Sequence, residues 1–449
     1  MGTRGIFLYG VMGLLIVVVG LFQSWNVALQ LLNLCLLSAI MSIGVNIQWG
    51  YAGLFNVGIV GFAALGGLAT VLVSMPPVAG AWAAGGAGIG LSLIALVVTV
   101  AAVWAAGRYI KRPWRMPAML VAGVIGYFVI RATFDSAVDA IERFNPAQTG
   151  YLGGLGLPIL LSWVVGGLLA AAAAWLVGRV TLGLRADYLA IATLGIAEII
   201  IAMIKNEDWL SRGVKNVTGL PRPVPIEIDL QRTSWFLDLS SWLDANPVIF
   251  SSIFVKICYA LLFTVVLAIL MWFAEKALNS PWGRMMRAIR DNRDAAEAMG
   301  KNVTRRHMQV FILGSAVVGL AGAMLTTLDG QLTPGTYNPL RYTFLIWVMV
   351  IVGGSGNNWG AVIGGFLIWF VWVEAEPAGV WLMNALTAGL DPSSVLRVRL
   401  LDAAPHMRLF LMGLILLLVL RFAPRGLIPE RTAPPRGATA AKPAEEPTA

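Results

Sequence analysis

The chain has 449 residues, 58% of them hydrophobic and only 12% charged, where soluble domains carry about 25% charged residues. With a mean hydropathy of +0.78, so little charge cannot cover a soluble surface; soluble enzymes, disordered chains and fibrous proteins are excluded, and a polytopic membrane protein remains. Cys35 and Cys258 lie in apolar runs and the histidines number two, His307 and His406, which argues against a disulfide scaffold or a Cys- or His-built metal centre.

A membrane-spanning helix needs about 20 mostly apolar residues. Runs of this kind fall at 6–22, 27–49, 54–74, 79–106, 157–178, 188–204, 248–273, 309–328 and 406–421, and a weaker one at 116–131 ends before Arg131. The stretch 342–373 is too long for one span and is interrupted at Gly353-Gly354-Ser355-Gly356-Asn357-Asn358. It reads as two shorter helices around a glycine-rich turn. The predicted fold is therefore all-α, a transmembrane bundle of about 10–12 segments with broken or re-entrant helices. The first run follows Arg4 with no clean small-x-small cleavage site, so it is expected to stay as an uncleaved helix.

The net charge of +9 is unevenly spread. Arg4, the loops 107–117, 179–187 and 274–308, and the tail 421–449 hold 20 of the 32 basic residues. The segments 131–156, 205–247, 329–341 and 374–405 hold 10, against 14 acids. Basic loops stay in the cytoplasm, so both termini are expected inside and twelve segments alternate without conflict. The charge thus speaks of membrane orientation, and no nucleic-acid partner is expected. The chain is expected to divide into a transmembrane body over 1–428 and a disordered cytoplasmic tail over 429–449, rich in Ala, Pro, Thr and Glu. Within the body, 205–247 is the longest external loop and 279–306 the main cytoplasmic one.

No Gly-x-x-x-x-Gly-Lys-[Ser/Thr] occurs, so an ATPase, if one drives this protein, is another chain. No metal pattern, nucleophile elbow or carboxylate pair suggests an enzyme. The most informative stretch is Ser280 to Arg306. Ser280-Pro281 is a helix start and Gly300 a helix stop. Trp282, Met286, Ile289, Ala296 and Met299 share a stripe, with Arg284, Arg287, Arg290 and Arg293 off it. Such an amphipathic helix either lies on lipid headgroups or docks into another protein.

Asp294-Ala295-Ala296, three further residues and then Gly300 resemble the EAA loop of ABC-importer permeases. Arg287-Ala288-Ile289-Arg290-Asp291, Asn46 to Gly53, Leu184 to Glu198, Gly353-Gly354-Ser355-Gly356 with Gly360 and Gly364, and Pro424-Arg425-Gly426-Leu427 resemble the M-type branched-chain amino acid permeases of that class. The likeness runs in order over more than half the chain. It departs at Leu54 and Ile59, where the family often has a polar residue and a histidine, and at 107–156, which reads as an insertion carrying an extra helix.

The resemblance implies one half of a pore. A second permease would complete it as a heterodimer, two ATP-binding subunits would hold the ATP and Mg, and an extracytoplasmic solute-binding protein would deliver substrate. The setting would be a multi-pass protein among the lipids of a bacterial inner membrane, with no cofactor in this chain. The implied cargo is leucine, isoleucine or valine, with urea or short amides as the alternative. An ion-coupled secondary transporter is a further alternative, for which an inverted repeat and midplane carboxylates would be needed. The coupling residues implied are then Asp294, Ala295, Ala296, Gly300, Arg290 and Ile289.

Inside the bilayer, Glu198 either lines the path and meets an ammonium group or serves a structural bond, since a carboxylate there costs about 2.5–3.5 kcal/mol. Asn46, Asn56 and Thr193 either bond neighbouring helices or face the solute. Gly50 and Gly53 mark a break that frees backbone groups for a polar solute. Gly353 and Gly354 line a vestibule or simply form a tight turn.

Overall fold

The computed structural model of the chain describes residues 3–146, 149–391 and 394–430. In hydrocarbon every backbone polar group must be satisfied within the fold, and long apolar runs with little charge do so here as helices that bond their own backbone. Among the described residues, ten such helices are long and apolar enough to cross a membrane. They are α1 (Thr3–Phe22), α2 (Trp25–Gly50, ending in a π-helical turn), α4 (Ala79–Tyr109), α5 (Arg112–Arg143), α6 (Ile159–Thr181), α7 (Ala186–Asn206), α8 (Pro247–Asn279), α11 (Val303–Asp329), α13 (Asn358–Leu386) and α14 (Val395–Phe422). Two shorter apolar helices complete the set, α3 (Ile59–Ser74) and α12 (Pro339–Gly353). Between α8 and α11 lie α9 (Pro281–Asp291) and α10 (Arg293–Ala298).

The centre is built from α2, α3, α6 and α11. Small residues let these backbones approach closely: a Cβ on Gly66 of α3 would overlap the Gly319 carbonyl of α11. Trp163 of α6 donates from Nε1 to Thr327 Oγ1 at 2.9 Å, pinning α6 to α11. Helices α8, α12 and α13 surround this centre, and α4 and α5 pair as a hairpin at the periphery.

Two ends of the bundle are recognisable. At one, β1 (Val217–Thr218) pairs antiparallel with β2 (Gln331–Leu332), and Pro77 bridges Gly153. At the other, Gly53 lies against Arg290, and Ile428 donates its N–H to the Gly353 carbonyl at 2.9 Å. Following the chain from helix to helix places Arg4, the α4–α5 and α6–α7 connections, α9–α10, the α12–α13 turn and residues 423–430 all at this second end. These are the basic segments.

Three expectations need adjustment. The weak run 116–131 is the middle of a 32-residue helix, which continues through the charged residues because Arg131 pairs with Asp135 one turn on, at 2.8 Å. The helix after the glycine turn is not short: α13 has 29 residues. It carries Glu374 and Glu376 because Gln23 donates to Glu374 at 2.7 Å and Arg408 pairs with Glu376. Pro429 and Glu430, assigned to the tail by the sequence, make specific bonds to Asn357 and Arg290; residues 431–449 lie outside the described residues.

Candidate functional site

The loop between α8 and α11 is not one helix from Ser280 to Gly300. Ser280 accepts from the Gly283 N–H at 3.3 Å and starts α9. Asn292 then leaves helical geometry, with φ −153° and ψ 100°, and its Oδ1 accepts from the Ala295 N–H at 3.0 Å, capping α10. The side chain of Asn292 thus competes with the continuing helix and wins. Gly300 closes α10 with φ +73°, the left-handed conformation that glycine adopts without steric cost.

The apolar stripe divides accordingly. Met286, Ile289 and Ala296 are buried against the chain's own body, Trp282 is half-buried, and Met299 is 79% exposed. Asp294, Ala295 and Gly300 are exposed. Ile289 and Ala296 therefore hold the loop to the membrane helices, and the surface offered outward is Asp294, Ala295, Ala298 and Met299.

Arg290 also points inward. Its Nη1 donates to the Gly50 carbonyl, at the last turn of α2, and stands 2.9 Å from Glu430 Oε2. Arg287 Nη1 approaches the other Glu430 oxygen at 3.6 Å. The π-helical turn leaves the Gly50 carbonyl without its ordinary helical donor, and the guanidinium supplies one. Gly53, with φ +67°, turns the chain directly over the Arg290 side chain.

The glycine turn joins the same cluster. The Gly356 N–H donates to Asn46 Oδ1 at 2.8 Å, and Asn46 Nδ2 donates to Asn358 Oδ1 at 3.1 Å. Tyr51 also donates to Asn358 Oδ1, and Asn358 Nδ2 donates to Glu275 at 3.1 Å. Asn357 Nδ2 donates to the Pro429 carbonyl at 3.0 Å. A Cβ on Gly50 would run into Asn46 Oδ1 and the Gly356 nitrogen. Gly353 and Gly354 lie under the chain's end, where Leu427 and Ile428 bond to the Val352 and Gly353 carbonyls at 2.8 and 2.9 Å. Beside this cluster a cleft of about 480 Å³ opens between Arg4, Glu275, Arg287 and Glu430.

Asn46 is thus a fully buried staple, with both polar ends used inside the chain. Asn56 is another: its Nδ2 donates to Gln48 at 2.9 Å, and its backbone carbonyl accepts from Trp347 Nε1 at 3.0 Å. Thr193 accepts from the Val57 N–H at 3.1 Å and so ties α7 to the residues between α2 and α3. Glu198 differs from all of these. It lies on the exposed face of α7, away from the chain's own core, in a row with Tyr188, Ile191, Gly195 and Ala202.

Sequence reasoning brought the α2 break, the glycine turn and the loop residues to notice separately. It did not see that one arginine and one carboxylate join them. Glu430 gave no signal, because it stands at the edge of a Pro- and Ala-rich stretch. Asn357 and Asn358 were visible only as turn formers.

Residues 27–420 match the family of branched-chain amino acid transport system permease components. The chain belongs to this family. Among other family proteins, the permease is 25% identical over 318 residues to the probable branched-chain amino acid transport permease protein LivM of Methanocaldococcus jannaschii, covering 70% of this chain and 79% of that protein. It is 27% identical over 237 residues to the high-affinity branched-chain amino acid transport system permease protein LivM of Escherichia coli, covering 51% and 53%. The match thus spans about half the length of that relative. A shorter stretch of 90 residues is 31% identical to the probable permease LivH of Methanocaldococcus jannaschii, covering 20% of this permease and 28% of that protein. No solved structure gives a significant match. With ten helices of spanning length and apolarity, the permease is a multi-pass membrane protein.

Proposed function

We propose that this permease forms one half of the translocation pore of a binding-protein-dependent ABC importer for branched-chain amino acids. The observation that carries the reading is the link from the α9–α10 loop through Arg290 to the Gly50 carbonyl. It joins an exposed cytoplasmic surface to the break in a central helix. In this reading two ATPase subunits, which bind ATP and Mg, dock on Asp294, Ala295, Ala298 and Met299. Closure of the ATPase pair shifts α9, and Arg290 carries the shift into α2 and the glycine turn. A second permease completes the pore, and an extracytoplasmic binding protein meets the β1–β2 end.

The basic segments gathered at one end support a cytoplasmic side for that end, with both termini inside and a bacterial inner membrane as the setting. A carboxylate facing lipid at bilayer depth costs about 2.5–3.5 kcal/mol, so the Glu198 face of α7 is turned to the second permease and the solute path. Leucine, isoleucine or valine is the proposed cargo, in line with the branched-chain amino acid transport for which those relatives are named.

The test is affinity purification of the full chain from mild detergent with its co-purifying subunits identified. A second permease, P-loop ATPases and a binding protein that takes up leucine or valine are expected. A chain that purifies alone and transports by itself, insensitive to vanadate but sensitive to an uncoupler, would overturn the proposal.

A further inference from the structure

The α4–α5 hairpin is the least enclosed part of the molecule. Its helices pack on each other: Ser92 Oγ and Thr133 Oγ1 bond at 2.9 Å, and Gly126 sits against Thr99. Toward the rest of the chain, it is anchored where Ile89, Ala137 and Ile141 meet Leu152 and Trp209. That anchor lies at the β1–β2 end of the bundle. At the other end the hairpin stands clear: along α5 no described residue before Gly126 is buried, and late in α4 only Ala106 and Gly107 are.

This free end holds a groove of about 550 Å³ between the two helices. Val100, Val103 and Met119 form its apolar floor, and Trp104, Arg108 and Arg115 its rim. Arg115 folds back across the helix pair, so that a Cβ on Gly107 would stand 3.6 Å from its Nη2. The Arg108 guanidinium lies 5.9 Å from the centre of the Trp104 ring. Lys111 and Arg112 sit in the connection just beyond. The hairpin's own ion pairs, Arg131–Asp135 and Arg143–Asp139, are in its other half, and no Asp or Glu precedes Asp135 in the chain. Four cations therefore crowd one helix junction without an acidic partner among the described residues.

Trp104, Tyr109 and Trp114 are 62%, 75% and 70% exposed around the groove, as side chains at the headgroup level of a bilayer are. Two guanidinium forks above an apolar channel match a phosphate that carries acyl chains. We propose that this groove binds an acidic phospholipid of the leaflet on the α9 side. The headgroup phosphate sits between Arg108 and Arg115, and one acyl chain lies along Val100, Val103 and Met119. Neither the cargo nor the ATPase partners enter this inference.

The experiment is native mass spectrometry of the full chain with its co-expressed partners, in mild detergent, titrated with phosphatidylglycerol, phosphatidylcholine or inorganic phosphate. Phosphatidylglycerol is expected to bind at least tenfold more tightly than phosphatidylcholine. The double substitution Arg108→Gln with Arg115→Gln is expected to weaken it about tenfold. Val103→Trp, which fills the groove and keeps every charge, is expected to weaken it as much, and Arg143→Gln at the far end to leave it unchanged. Bromine-labelled phosphatidylglycerol should quench wild-type fluorescence more than that of Trp104→Phe. Equal binding of phosphatidylcholine, wild-type affinity in both groove variants, or displacement by low-millimolar inorganic phosphate would each overturn the proposal, the last by making the site one for a free anion.

Discussion

At the scale of residues, Arg290 holds the break after α2 and the segment that follows α14 together with one guanidinium group. Gly50 and Glu430 are its distant partners, while its Nε donates to the adjacent Asp291 at 3.1 Å, and the Glu430 carboxylate is only 15% exposed. Glu430→Gln keeps the shape and removes the charge. It is expected to destabilise the cluster by about 1–3 kcal/mol and to lower ATP-driven uptake several-fold. Uptake into proteoliposomes, with abundance checked by immunoblot, measures this; unchanged uptake would show that the contact is ornamental. Gly50→Ala meets a harder limit, since its Cβ would enter Asn46 and Gly356. Overpacking of this kind costs about 1–3 kcal/mol, and a lowered unfolding temperature in detergent is the expected reading.

At the scale of elements, the α9–α10 pair has an inner and an outer face that substitutions can separate. Ile289 is 2% exposed, so Ile289→Ala should cost about 2–4 kcal/mol of stability. Ala295 is exposed, so Ala295→Trp should leave stability within about 0.5 kcal/mol while uncoupling ATP hydrolysis from uptake. Thermal unfolding and ATPase assays on the same preparations distinguish the two; matching effects from both variants would mean that the faces are not distinct. The spanning helices were legible in the sequence because an apolar run of 20 residues allows little else. The kink at Asn292 was not, since Asn292 interrupts no hydrophobic period and its capping role needs coordinates. Likewise Glu374 and Glu376 looked like loop residues, and only the placement of Gln23 and Arg408 beside them explains why α13 continues.

At the scale of the whole molecule, the charge distribution foretold which segments share an end, because each loop's sign is recorded locally. The joining of Asn46, Asn358, Arg290 and Glu430 was not legible, since those residues are brought together from four distant stretches. Glu198 belongs to this scale too, because in the proposed assembly its surroundings are completed by a second permease. Glu198→Gln is expected to reduce transport without reducing abundance in the membrane, and transport at the wild-type rate would remove Glu198 from the path. Gly195→Cys, on the same face with open space around it, should cross-link to the second permease.

The contact between Glu430 and Arg290 also orders events in time. Glu430 is synthesised about 140 residues after Arg290, which at roughly 5–20 residues per second is about 7–28 s later. Throughout that interval α9 is already made while its carboxylate partner is still unmade or inside the ribosome. In a nascent permease the α9–α10 loop therefore lacks this contact until the spanning helices have been made. Packing of the α9–α10 loop against the body of the bundle is therefore completed late, after the last spanning helix, α14, has been made.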